Sequence, residues 1–322
     1  MPTAVPASTP ARPTGPAVGI ATARTGRRRR PGRLLAAAVL TASALGLATA
    51  APASAASAAS AESARNHPAT HYLALGDSLA AGYQSTPGGG HVVGRGYAQD
   101  LARTLGDRAK AAGRPFSFTD LGCPGEDTGT MIHGGCPYPH PYAGSQLAAA
   151  VSYLKAHRKD RVVVTIDIGA NNVDGCASGG QLNLPCAVNG IAAVDRDLDR
   201  ILGELRSAAG PHTRIVGMNL YDPFLAAWLT GDQGRALASL SVPLADALNA
   251  TIDRVDAAHH VPTADVGAAF ATNAFLPMVP LGGTQVPLNV ARIMQWTNMA
   301  RGDIHANDTG YQVIADTFLA EL

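Results

Sequence analysis

Aromatic side chains are scarce in this chain: two Trp, six Phe and eight Tyr amount to 5% of 322 residues. That leaves little material for an aromatic platform on which sugars stack. Charge is also sparse at 15%, while 46% of residues are hydrophobic, a balance that excludes disordered and collagen-like chains and lets a core be buried. No acidic residue precedes Glu62, yet the first 55 positions hold seven arginines (12, 24, 27–30 and 33). Without those 55 residues, 18 Lys and Arg face 24 Asp and Glu, so the formal charge moves from +1 to −6. A mildly acidic body has no electrostatic footprint for nucleic acid, and none is expected as a partner. Outside 34–50, no apolar run is long enough to span a bilayer.

The first 55 residues read as an export signal. Arg27 to Arg30 and Arg33 form a positive region, Leu34 to Ala50 a 17-residue apolar stretch, and Ala53-Ser54-Ala55 a small-x-small cleavage site. A membrane anchor is the competing reading, weakened by Thr41, Ser43, Gly46 and Thr49 within the apolar stretch. Pro31 and Gly32 after the arginine pairs favour the general secretory route over the twin-arginine one. Residues 56–70 are expected to be a flexible mature N-terminus, and 71–322 the functional domain, secreted after cleavage.

Four cysteines, all beyond the leader, fit an oxidising compartment. Of three connectivities, the local pairs Cys123 with Cys136 and Cys176 with Cys186 close short Gly/Pro-rich loops and are preferred. A four-cysteine metal site is the rival, but no C-x-x-C pair is present, so no metal is expected.

From His71 onward, short apolar runs alternate with helical patterns, the signature of a parallel sheet wrapped by helices. Strands are predicted near 71–76, 116–121, 161–168, 213–220 and 261–266, and helices near 96–112, 145–158, 187–209, 235–259 and 308–320. In the third helix Ile191, Val194, Leu198, Ile201, Leu202 and Leu205 recur at spacings of three and four. The segments 121–144, 169–186, 221–234 and 267–307 lack periodicity and follow predicted strands, where open α/β sheets build their sites.

Gly76-Asp77-Ser78-Leu79 directly follows the first strand, which places a serine hydroxyl at the sheet's carboxyl edge. Alone, this tetrapeptide also suits a plain helix N-cap. Three further motifs follow in order: Cys123-Pro124-Gly125-Glu126-Asp127-Thr128, Gly169-Ala170-Asn171-Asn172, and Asp303-Ile304-His305.

Together these four blocks resemble the SGNH or GDSL hydrolases, esterases and lipases built on a flavodoxin-like sheet. The resemblance runs across nearly all of 71–322. It implies an α/β fold, a three-layer sandwich with a five-stranded parallel sheet flanked by helices, and no cofactor. It makes Ser78 the nucleophile and His305 the base. It also assigns the oxyanion hole to the backbone N–H groups of Ser78 and Gly125 and the amide of Asn171. Two departures stand out. The family's aspartate usually lies three residues before the histidine, where this chain has Gly302; Asp303 lies two before. Residues i and i+2 of an extended segment share a side, so Asp303 reaches His305, with a main-chain carbonyl as the alternative. The second departure is Asn172 in place of Asp. Tyr221-Asp222-Pro223-Phe224 and Ile304-His305-Ala306-Asn307 are similar to the secreted actinobacterial branch.

The expected activity is a secreted carboxylic ester hydrolase acting on small-molecule or lipid esters, working as a monomer and meeting a lipid interface. Phe224, Leu225, Trp228, Leu229, Phe270, Phe275, Leu276, Met278 and Val279 either wall an acyl channel or fill the core. A carbohydrate acetylesterase on the same machinery and a catalytically dead secreted binding protein are the alternatives.

Overall fold

β-branched residues crowd the central strand, Arg161–Asp167, whose Val162, Val164, Thr165 and Ile166 are all buried, as a parallel strand covered on both faces requires. A computed structural model describes residues 68–86, 89–178 and 181–322. The expected signal segment 1–55 and most of the expected N-terminal tail lie outside the described residues. Ala69 O accepts from Arg161 N at 3.1 Å and Thr70 opens the first strand.

The sheet contains β1 (Thr70–Gly76), β2 (Phe116–Asp120), β3 (Arg161–Asp167), β4 (Thr213–Met218) and β5 (Thr263–Ala264), all parallel, in the order β2-β1-β3-β4-β5. That is the flavodoxin-like order. Nine α-helices accompany it among the described residues: α1 (Ser78–Ala81), α2 (Tyr97–Ala111), α3 (Thr128–His133), α4 (Gln146–Ala156), α5 (Leu184–Ala208), α6 (Asp232–Ala258), α7 (Val266–Ala269), α8 (Leu288–Trp296) and α9 (Asp308–Ala320). Helix α5 packs between α4 and α6, while α2 packs on α9, giving the two helical layers around the sheet. Among the described residues no helix is long and apolar enough to cross a membrane.

The five strands and the five long helices fall where their periodicity predicts them. The segments expected to be irregular are not wholly so. Residues 267–307 fold into a hairpin, Met278–Leu281 with Thr284–Pro287, followed by α8. Val286, Val290 and Ala291 form a small satellite core there.

Candidate active site

Strand β1 ends on Gly76, whose φ of +137° and contact with Asp167 leave no room for a side chain: a Cβ would collide with the Asp167 carbonyl and carboxylate. The chain therefore turns sharply at the sheet's carboxyl edge. Asp77 caps the next turn by accepting from Leu79 N at 2.9 Å, and Gly82 closes it in the left-handed region. The result is a helix of only four residues, α1, which opens with Ser78 at 8% exposure.

His305 reaches this corner from the loop before α9. Its Nε2 lies 2.8 Å from Ser78 Oγ, and its Nδ1 lies 2.5 Å from Asp303 Oδ1. Asp303 also accepts the His305 backbone N–H at 3.1 Å, which the two-residue spacing makes possible. The loop is pinned on both sides of the histidine. Tyr221 Oη donates to Ile304 O at 2.8 Å, Asn298 N donates to His305 O at 2.8 Å, and the Tyr83 ring sits 4.6 Å from the imidazole.

Asn171 stands in the turn after β3. Its Nδ2 donates to Glu126 O at 2.8 Å and lies 3.4 Å from Asp77 Oδ2. One amide hydrogen thus fixes the side chain, and the other is only loosely held beside Ser78. Asn172, where the family pattern has Asp, hydrogen-bonds α3 instead: its Oδ1 accepts from Thr128 N at 3.2 Å and its Nδ2 donates to Thr128 Oγ1 at 2.8 Å. Pro124 and Gly125 occupy the middle of a turn closed by Glu126 N donating to Cys123 O at 3.0 Å, with Gly125 at φ +84°. Cys123 N in turn donates to Gly76 O at 3.1 Å, so the turn is tied to the Ser78 corner.

Cys123 with Cys136 and Cys176 with Cys186 stand at disulfide distance, with Cα separations of 6.5 and 5.5 Å.

With this geometry at the end of a flavodoxin-like sheet, the chain matches the family model described as GDSL-like Lipase/Acylhydrolase over residues 74–313. The chain belongs to that family. Solved structures similar to this GDSL-family chain include an extracellular lipase from Streptomyces rimosus, 20% identical, covering 79% of this chain and 100% of the other, with a TM-score of 0.49. A phospholipase A1 from Streptomyces albidoflavus is 19% identical, with coverage of 79% and 100% and a TM-score of 0.47. An acetylxylan esterase from Geobacillus stearothermophilus is 16% identical, with coverage of 79% and 94% and a TM-score of 0.45. No curated protein matches the chain.

Beside Ser78 and His305 opens a cleft with about 90 Å³ of solvent-accessible space. Its wall decides between the two roles left open for the apolar loop residues. Of the nine apolar residues considered for wall or core, Phe224 alone lines it. Leu225 and Phe270 are fully buried core, Trp228 packs against Phe275, and Leu229, Leu276 and Met278 are exposed elsewhere. The wall is instead made by the helices: Ala187 and Ile191 of α5, and Leu244 and Leu248 of α6. The i, i+4 spacing of each pair puts it on one helix face, a signal that was readable but indistinguishable from a core stripe. Asn171 also lines the cleft; Gly125 and Asp303 do not. Three acids do line it: Asp77, Asp174 and Asp222. Burial, the Asp77 charge and the Asp222 charge, opposed by His305, push Asp174 up to about 7; burial pushes Asp222 up to about 6 against hydrogen bonds from Ser241 and Phe224 N.

Several supporting residues were not singled out from the sequence. Tyr97 Oη donates to Asp167, which also accepts from Asp77 N at 3.4 Å. Burial, reinforced by the Asp77 charge, holds Asp167 well above the usual carboxylate range. Gln146 and Glu126, both buried, hydrogen-bond each other at 3.0 Å beneath the turn that carries Gly125.

Proposed function

We propose that this GDSL-family chain is an exported serine hydrolase of acyl esters, with Ser78 as nucleophile, His305 as base and Asp303 orienting the imidazole. The observation that carries the reading is the 2.8 Å approach of His305 Nε2 to Ser78 Oγ at one end of an apolar cleft. In the first step Ser78 Oγ attacks the ester carbonyl carbon while its proton passes to His305 Nε2. The oxyanion is received by the backbone N–H groups of Ser78 and Gly125 and the looser amide hydrogen of Asn171. Collapse breaks the ester C–O bond, and the alcohol leaves with the proton from His305. Water, deprotonated by the same nitrogen, then frees the acid and restores Ser78.

The cleft supports an acyl rather than a sugar substrate, because alkyl side chains, Ala187 and Ile191 of α5 and Leu244, Ala245 and Leu248 of α6, outnumber Ser241 and Asn249 on its helical walls. Exposed Leu184, Val188 and Leu240 are neighbours of lining residues on α5 and α6, which supports docking on a lipid surface at the cleft mouth. Two disulfide-distance cysteine pairs support an extracellular destination, within the secreted branch of the family.

An organophosphonate probe tests the chemistry. It labels the wild-type protein at Ser78 and leaves Ser78→Ala unlabelled; absence of labelling on folded wild-type protein makes the chain a binding protein. A series of acyl esters from acetyl to long chain tests the substrate. Turnover rises beyond acetyl if the cleft takes the acyl chain, whereas a preference for acetylated sugars returns the acetylesterase reading.

A further inference from the structure

A second cluster of chemistry-bearing residues lies at the opposite, amino-terminal edge of the sheet. His71 enters β1, and His157 and Asp160 form the connection from α4 to β3. His157 Nδ1 lies 3.0 Å and His71 Nε2 3.3 Å from the same oxygen, Asp160 Oδ2, and the three donor atoms fall within 4.8 Å of one another. We propose that His71, His157 and Asp160 form a binding site for a divalent transition-metal ion of the zinc class.

The tautomer of His71 is set by its other nitrogen. Nδ1 lies 2.6 Å from Ser117 Oγ on β2, and if that hydroxyl accepts, Nε2 is left with its lone pair directed at the cluster. His71 is only 9% exposed, and its Nε2 is buried without a hydrogen-bond partner despite the nearby carboxylate. A buried nitrogen 3.3 Å from a carboxylate oxygen, outside good hydrogen-bond geometry, leaves place for a shared third atom. The spacing agrees: zinc bonds of about 2.1 Å separate adjacent tetrahedral ligands by roughly 3.4 Å. The site also sits at the C-terminus of α4, where His157 is the cap and the terminal carbonyls carry partial negative charge. Two imidazoles and one carboxylate select a borderline ion over Mg²⁺ or Ca²⁺, and the partly exposed His157 and Asp160 leave room for water as a fourth ligand.

Such an ion joins the start of β1 to the start of β3, and through Ser117 to β2. It acts on stability, because Ser78 lies beyond the other end of β1.

The test uses the full chain stripped with a chelator. Added ZnCl2 raises the melting temperature by about 5 °C at a hundredfold excess over Kd, and MgCl2 does not. Co²⁺ acquires a ligand-field absorption band. His157→Ala and Asp160→Asn, at partly exposed positions, keep the wild-type far-UV circular dichroism and lose both responses. His133→Ala, at an exposed histidine elsewhere, keeps them. No Zn²⁺ shift in the wild type, or an equal shift in His157→Ala and Asp160→Asn, overturns the proposal and leaves the cluster as a histidine–carboxylate contact.

Discussion

Gln146 closes on the peptide of Gly76 from both sides: its Oε1 accepts from Gly76 N at 2.7 Å and its Nε2 donates to Gly76 O at 2.9 Å. A side-chain amide thereby imitates a neighbouring strand at the point where β1 ends, two residues before Ser78. Gln146 is fully buried, so its loss strands a backbone N–H with no water to replace the partner. Gln146→Leu is expected to cost about 2–3 kcal/mol, lowering the melting temperature by roughly 4–10 °C. It should also lower kcat by about 10- to 100-fold at similar KM, since a shift of about 1 Å in the nucleophile is enough for that loss. Unchanged kcat in a folded variant would mean that the corner holds itself.

Asp303 faces His305 Nδ1 at 2.5 Å, from a position one residue closer than the family pattern has it. If its carboxylate selects the tautomer, Asp303→Asn reverses that choice, puts a proton on Nε2, and lowers kcat by up to about 10⁴. Steady-state kinetics on this variant decide between two supports for the histidine. A loss within tenfold assigns the orienting role to the main chain.

The parts of this fold legible in the sequence are those where burial imposes a period. The valine run of β3 and the spacing of three and four in α5 could be read directly, and so could the blocks around Ser78, Gly125, Asn171 and His305. Helices α1 and α3 are too short, at four and six residues, for any period to emerge. The hairpin after α7 did carry a signal, Gly282-Gly283 with positive φ at both positions, as two-residue turns demand. The cleft wall stayed open between two sets of roles because lining and core residues are of the same type. Ile191 and Leu225 read alike, yet one faces the cleft and the other is fully buried. The task of Gln146 was hidden for a different reason: nothing in a helix-opening glutamine reveals that it bonds to a strand 70 residues away.

The Cys176–Cys186 pair joins the turn after Asn171 to the first turn of α5, and Ala177, Leu182 and Ala187 beside it line the cleft. Its loop of ten residues is worth roughly 3 kcal/mol. Cys176→Ser with Cys186→Ser is therefore expected to keep its far-UV circular dichroism at 25 °C, melt about 5–10 °C lower, and lose several-fold in kcat. Thiol counting on unreduced wild-type protein comes first, and four free thiols would remove the premise. Full activity in the double variant confines the bridge to stability.

Asp256 supplies a test of pH dependence far from the catalytic corner. It lies on α6 at 1% exposure, against β4, where a Cβ on Gly217 would collide with its carboxylate. Burial raises it from 3.8 to about 7, the Thr263 hydroxyl opposes this from 2.8 Å, and the Asp253 charge adds to the rise. The sign follows from proton counting. Between about pH 4 and 7 the folded chain holds a proton that the unfolded chain has released, so stability falls as pH rises across that window and is constant above it. Asp120 and Asp174, raised to about 7, and Asp222, raised to about 6, act in the same direction. His71 acts the other way: burial and His157 lower it from 6.5, which costs stability as pH falls below that value. Asp167, Asp77, Asp100 and Asp253, which burial also raises, act with the other carboxyls, and all of these against one imidazole make the protein more stable at pH 5.5 than at pH 8. Asp256→Asn removes one of these carboxyls. Urea unfolding at pH 5 and pH 8 should show the difference between variant and wild type moving in the variant's favour by about 3 kcal/mol at the higher pH. Parallel stability curves for the two proteins would mean that Asp256 ionises in the folded state as it does in the unfolded chain, and that its burial against β4 is relieved by water.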